Sequence, residues 1–271
     1  MRLVVQQRQV KINKMPQPYY MIDFSAACCM FEIRVNDIPV MMLDLPGQAA
    51  SVTPVNFSIL ESGTQIITAT VFPHSGGIVL DPEAKLKFDI KLFDVEKGFV
   101  FKEQLVKYEF EKVDRNKKLP VMRHQTSFLA QVPYSLQGWK NGLALKDVKD
   151  VNIKLSNAYE RLSALIRRGD YNAFRTSIAN RENIMARSMY LDPAKAEGRI
   201  VNLIEDFEGG FKVAPVPPDA VLQIYGEGKV AALKKINGES ALFLVNDETK
   251  EELMIDIMFY IPNGKTEFEV I

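Results

Sequence analysis

Few residues in this chain have the chemistry of a metal ligand or a nucleophile. His74, His124 and the vicinal pair Cys28-Cys29 are its only histidines and cysteines. A zinc site draws several such ligands together at hairpin or helical spacing, whereas the two histidines stand fifty residues apart in polar, turn-like stretches. They read as loop histidines. Adjacent cysteines seldom bridge each other, because the bond distorts the peptide between them, and the chain has no third cysteine to serve as partner. They lack the two-residue spacer of redox and metal motifs and sit in an apolar run, which reads as small buried side chains. A Ser-His-Asp or Cys-His set assembled in space stays open, although no nucleophile carries a recognisable elbow. Gly226-Glu227-Gly228-Lys229 lacks the Gly-Lys-Ser/Thr continuation of a phosphate loop and precedes a strand, so it reads as a hairpin turn. His74-Ser75-Gly76-Gly77 reads as a plain loop. Asp89 and Asp94 would do acid-base work only if buried.

The residues suited to recognition are more numerous. Seven arginines fall between Arg161 and Arg199. A solvated helix face with ion pairs is one reading. The other is a surface for an acidic partner, because guanidinium groups make bidentate contacts. Glu205 and Asp206, with Glu208, and Asp247 and Glu248, with Glu251 and Glu252, form acidic clusters suited to a basic partner. Tyr134 and Trp139 lie in the aromatic stretch QVPYSLQGWKNG, which either stacks on a sugar or plugs one unit against the next; the second reading is favoured. The candidate binding surface is therefore Tyr134, Trp139, Arg167, Arg168, Glu205, Asp206, Asp247 and Glu248. No catalytic, cofactor-binding or metal-binding residue is assigned, and no cofactor is expected.

The first half is expected to position Tyr134 and Trp139 with strands. Residues 1–18 read as an arm or a first edge strand. Residues 31–35 alternate, with Phe31, Ile33 and Val35 on one face and Glu32 and Arg34 on the other. Asn36-Asp37 suits a primed turn, residues 39–45 return as a strand, and Leu45-Pro46-Gly47-Gln48 signals the next turn. Residues 65–72 are rich in β-branched side chains. Residues 84–95 alternate strictly, with Leu86, Phe88, Ile90 and Leu92 opposite lysines and Asp89. Further short strands are expected over 99–101, 108–113 and 126–132, with turns at Glu96-Lys97-Gly98 and 114–118. Short strands at roughly ten-residue spacing predict an all-β sandwich or jelly roll.

Composition shifts near residue 145, which is taken as the boundary between a β-sandwich domain (1–145) and an α+β domain (146–271). Asp147 is the expected cap of a helix to Arg168, whose stripe includes Val148, Val151, Leu155, Tyr159, Leu162 and Ile166. Gly169 stops it and Asp170 caps a second helix. Asp192-Pro193 starts a third, which stops at Gly209-Gly210. A four-stranded antiparallel sheet is then expected. Its last long run, LMIDIMFYI over 253–261, reads as a single central strand.

Formal net charge is zero, which argues against generic nucleic-acid binding, since that rests on a basic surface. Before Gln6 the apolar run is Leu3, Val4 and Val5, far short of the roughly 7–15 residues of a signal-peptide core. No stretch approaches the ~18 apolar residues of a membrane span. The chain is therefore expected in the cytoplasm without a membrane span.

The segment FEIRVNDIPV…PVNFSILESGTQIITATVFP resembles the core of galactose-binding-like β-sandwiches, in which an i-x-V-N-G hairpin is followed by a strand preceded by l-x-x-G-x-N. Asp37 stands where glycine is usual there, and Gln65 where asparagine is usual. The second half, three helices before an antiparallel sheet with ALIRRGDYNAF at a helix–turn–helix, resembles cystatin-like and nuclear-transport-factor-2-like α+β domains. The whole layout is similar to bacterial two-domain proteins of secreted-toxin immunity. The two fold resemblances cover enzymes and binders alike. The lack of a catalytic motif, the expected cytoplasmic setting and the charge clusters point to a non-enzymatic binding protein, and the layout resemblance to an immunity or inhibitor protein that neutralises a cognate toxin by protein–protein contact. The alternatives are a carbohydrate-binding accessory protein using the sandwich loops, or a small-molecule enzyme with a pocket in the C-terminal domain.

Overall fold

A computed structural model describes residues 16–96 and 98–271. Most of the arm expected over 1–18, and Lys97 of the expected turn, lie outside the described residues. The first half is one curled sheet of six strands: β1 (Pro18–Val35), β2 (Ile38–Pro54), β3 (Gly63–Phe72), β4 (Lys85–Asp94), β5 (Val100–Glu109) and β6 (Met122–Ala130). The order is β5-β4-β1-β3-β6, with β2 on the other edge of β1.

The curl originates in β1. Its residues 18–27 pair with β4, and its residues 30–35 pair with β3. Between them Cys28 adopts a φ of 51°, within a bulge flanked by Ala27 and Cys29. A bulge bends its strand and adds twist, so the two halves of β1 serve opposite walls of a sandwich. The outer strands meet again where Tyr108 of β5 stacks on His124 of β6, ring centroids 3.4 Å apart. His124 is thus a strand residue under an aromatic ring rather than a loop histidine, and burial pulls its basicity down. Phe24, Phe31, Ile33, Ile67, Val71, Phe88 and Ile90 fill the interior. The alternation of β4 places Leu86, Phe88 and Ile90 inward as its pattern requires. Cys29 is buried there, its thiol pushed up to about 11 by burial, while Cys28 is half-exposed.

Besides His124, the short strands expected separately over 99–101 and 108–113 run as one, β5, and 110–113 fall outside it; two further local expectations fail in this half. The turn at Leu45-Pro46-Gly47-Gln48 is absent, because β2 runs through it for 17 residues. Pro46 and Gly47 lie opposite the Cys28 bulge, and β2 pairs only with β1. On such an edge the missing proline N–H removes no ladder bond. The second concerns Glu32, placed on a solvated face by the alternation but 5% exposed, because the second half covers it.

The second half begins with α1 (Val151–Arg167), α2 (Tyr171–Ser188) and α3 (Pro193–Glu208). Asp147 belongs to a short 3-10 turn, and the capping position of α1 falls to Asp150, which makes no side-chain cap bond. Asp170 and Asp192 do cap, accepting from Ala173 N (3.2 Å) and Lys195 N (2.8 Å). Gly169, at a φ of 68°, ends α1 in the left-handed conformation that glycine adopts without penalty. Leu155, Ala158, Tyr159, Leu162 and Ile166 form the buried stripe of α1.

Seven short strands follow: β7 (Phe211–Val213), β8 (Val221–Tyr225), β9 (Val230–Lys234), β10 (Phe243–Asn246), β11 (Glu252–Met254), β12 (Phe259–Tyr260) and β13 (Glu269–Val270). They form a four-stranded antiparallel sheet, β13-β12-β9-β8, and a three-stranded sheet, β11-β10-β7. The run LMIDIMFYI is not one strand. It supplies β11 to one sheet and β12 to the other, crossing between them at residues 255–258. The crossing is held by Ile255 N on Leu242 O (3.0 Å) and by Ser240 Oγ on Ile255 O (2.7 Å). No helix among the described residues is long and apolar enough to cross a membrane.

One apolar cluster runs from Tyr20 to Ala130 and a second from Leu145 to Val270. A third lies between them, built from Ile38 and Leu60, Leu136 and Trp139, Ile184 of α2, and Tyr225, Val230, Ala232 and Tyr260.

Candidate functional site

The third cluster is organised by the Asn36-Asp37 turn. Both residues have positive φ, 52° and 59°, the conformation of a primed hairpin turn. Asn36 fastens the turn to the first half. Its Nδ2 donates to Gln65 Oε1 (2.7 Å) and Ser58 O (2.9 Å), and its Oδ1 accepts from Ile66 N (3.1 Å). Asp37 fastens it to the second half. Its carbonyl accepts from Gly226 N (3.1 Å) and its Oδ2 from Glu227 N (2.9 Å). The two hairpin turns thus meet tip to tip. Gly226 permits this through a φ of 57°; a Cβ there would lie 2.8 Å from Trp139 Cδ1 and from Val230 Cγ2.

Behind the turn lies a charged cluster. Arg34 Nε donates to Glu32 Oε2 (2.7 Å) and its Nη1 to Asp37 Oδ1 (2.9 Å). Its guanidinium carbon sits 4.7 Å from the centroid of Tyr225, within range for a cation–π contact. Burial pulls the Arg34 basicity down, and the Glu32 and Asp37 carboxylates more than reverse that. The Tyr225 hydroxyl is buried and has no hydrogen-bond partner among the described residues; burial foremost pushes its ionisation up.

Beside this cluster the two halves line an open cavity of about 450 Å³. One wall is residues 38–43 of β2. The other is Arg181, Ile184 and Met185 of α2 together with Met254 of β11 and Asp256 and Met258 of the crossing, and Trp139 and Phe57 flank it. Met41, Met42, Met185, Met254 and Met258 give it a thioether lining. Its charged groups are Arg181, Lys234, Glu239 and Asp256. Lys234 Nζ donates to Asp256 Oδ1 (2.6 Å). Arg181 pairs with Glu182 and donates to Asp256 O (3.2 Å), and Glu239 pairs with Lys235 (3.2 Å).

Of the eight residues singled out by sequence, only Trp139 lines this cavity, with 8% of its surface exposed. Tyr134 packs nearby as a seam between the halves. Its hydroxyl donates to Asn56 O (3.4 Å), and its ring faces Tyr190 at 6.0 Å, whose own hydroxyl donates to Pro18 O (3.0 Å). The other six are dispersed over the exterior. Arg167 pairs with Glu160, and Arg168 donates to Ala164 O (3.2 Å). Glu205 and Asp206 are exposed in the last turn of α3. Asp247 pairs with Lys212 at 2.6 Å, and Glu248 N closes onto Asn246 Oδ1 at 2.9 Å. Lys234, Asp256, Arg34 and the methionines were not singled out. The run Met41-Met42 and the pair Met254, Met258 were visible, but only folding brings them together.

Elsewhere, a groove of about 740 Å³ lies between α1, α2 and β13 within the second half. Three of its charged groups are paired locally, Glu160 with Arg167, Arg161 with Glu267 and Glu269 with Lys265, while Arg168 makes only its bond to Ala164 O among the described residues. His74 is held at the β3–β4 loop, its Nδ1 2.6 Å from Asp44 Oδ1, while Asp44 Oδ2 accepts from Ser75 N (3.0 Å). Asp89 and Asp94 project from opposite faces of β4, an odd number of residues apart. Among the described residues no three His, Cys, Asp or Glu side chains are grouped to hold a metal ion.

No protein-family model, no curated protein and no solved structure matches this chain. The resemblances to galactose-binding-like, cystatin-like and toxin-immunity proteins therefore rest on sequence pattern and layout alone.

Proposed function

We propose that this protein works by binding, and that the cavity between its halves is the recognition site. The observation that carries this is the thioether-lined cavity walled by both halves, with the Asp37–Gly226 contact holding the walls in register. Its volume lies within the roughly 300–1,000 Å³ of ligand sites, which favour interfaces between structural units. Methionine is unbranched and polarisable, so such a wall adapts to the shape of an apolar guest. Toxin neutralisation by protein contact is the narrower form of this reading, with a partner's apolar side chain as the guest; its support is layout. Sugar stacking is less well supported, because Trp139 keeps too little exposed ring face.

Trp139 is the only tryptophan in the chain and borders the cavity, so its fluorescence reports occupancy. Titration with Nile red, a neutral apolar dye, is expected to give a saturable, one-to-one change in Trp139 emission. Filling the cavity with Val40→Phe and Met185→Phe should abolish it. Lack of saturation, or a response untouched by the filling substitutions, would overturn the reading.

A further inference from the structure

We infer that the junction cavity takes an amphiphilic anion, its apolar body among the methionines and a single carboxylate or comparable oxyanion on the Lys234 ammonium. The inference rests on this cavity being the recognition site. Lys234 ends β9 with only 7% of its side chain exposed, whereas its partner Asp256 is 68% exposed. An ammonium has three hydrogens to donate, and one described partner, Asp256 Oδ1, takes one of them. A buried charge is costly unless well paired and fully hydrogen-bonded. Here the pairing comes from a carboxylate that water screens, beside a wall of thioethers and aliphatic groups. A second acceptor entering from the cavity would complete the ammonium's shell where screening is weakest.

The remaining polar lining points to the same group. Arg181 is engaged by Glu182 and the Asp256 carbonyl. Glu239 is engaged by Lys235, which also pairs with Glu252. Ser240 Oγ donates to Ile255 O and accepts from Leu242 N. Arg181 also keeps donors to spare, but its side chain is 26% exposed and open to water, so Lys234, at 7%, is the lining cation that solvent serves least. The buried member of the Lys234–Asp256 pair is the cation, so the expected guest is an anion. An apolar cation would meet that ammonium at the wall.

The test uses the whole chain and decanoate below its micellar concentration, read by Trp139 fluorescence, with decanol and acetate as body-only and head-only probes. Decanoate is expected to bind saturably, decanol at least about tenfold more weakly, the scale of one charge-assisted hydrogen bond, and acetate not measurably. Lys234→Met should bring decanoate down to the decanol level and leave decanol unchanged. Asp256→Asn, at an exposed site, should tighten decanoate by removing the competing carboxylate. This variant decides the matter if Lys234→Met does not fold by near-ultraviolet circular dichroism. Equal binding of decanol and decanoate, or decanoate binding that Asp256→Asn leaves unchanged or weakens, overturns the anion assignment while the recognition site stands. Failure of both decanoate and decanol to perturb Trp139 overturns both.

Discussion

Tyr159 and Tyr225, the two most deeply buried tyrosines of the second half, should respond with opposite sign to loss of their hydroxyls. Tyr225 is fully buried and its hydroxyl has no hydrogen-bond partner among the described residues. Tyr159 is equally buried, but its hydroxyl accepts from Leu233 N at 2.9 Å and lies 3.4 Å from Leu233 O. An unsatisfied buried polar group costs about 1–3 kcal/mol. Tyr225→Phe removes that group while keeping the ring that packs in the junction and carries Arg34, so a gain of about 1–2 kcal/mol is expected. Tyr159→Phe instead strands the Leu233 amide, with an expected loss of about 1–2 kcal/mol. For a chain of this length each kcal/mol moves the midpoint of thermal unfolding by roughly 2–4 °C. Urea unfolding followed by far-ultraviolet circular dichroism measures both, with an unchanged m-value confirming that stability alone has moved. A loss of stability in Tyr225→Phe comparable to that in Tyr159→Phe would refute the reasoning, since it would mean that the Tyr225 hydroxyl is satisfied.

Gly226→Ala should cost at least about 2 kcal/mol, from left-handed backbone strain and overpacking, and should shift Trp139 emission; emission and urea midpoint both at wild-type values would show that the turn accommodates a Cβ. Arg34→Met leaves Glu32, 6% exposed at its side chain, as a buried carboxylate without its cation; an expected loss of about 3–5 kcal/mol is checked by urea unfolding, and a loss below about 1 kcal/mol would count against the pairing. Burial raises the Asp44 carboxyl, but the His74 hydrogen bond and the Ser75 amide lower it further, leaving it net depressed. Its contribution is therefore full above the ordinary carboxylate range and lost as pH falls through the depressed value, so the stability gap between wild type and Asp44→Asn, of order 1 kcal/mol or less, should close in acid; a gap constant from pH 7 to pH 2 would exclude this linkage.

Periodic features were legible because neighbours along the chain decide them. The lysine–apolar alternation of β4, the three-and-four stripe of α1 and the positive-φ turn at Asn36-Asp37 show in residue type and spacing, and the Asp170 and Asp192 caps are satisfied within three residues of themselves. The three helices and the antiparallel sheet after them follow from such local rules. Pro46-Gly47 deceived because its turn signal is also tolerated on a strand edge opposite a bulge, and only pairing with β1 reveals the edge. LMIDIMFYI deceived because apolar content marks burial without saying which sheet buries it. The candidate site depended on tertiary structure most of all. Val40, Trp139, Ile184, Lys234 and Asp256 meet at one cavity from five separate stretches of chain. Their types suited a core, a plug, a helix stripe, a strand end and a polar break. What brings them together is the packing of the two halves, in which the Lys234 side chain is 7% exposed and that of Asp256 68%, and that difference is a property of the packed halves rather than of any local pattern.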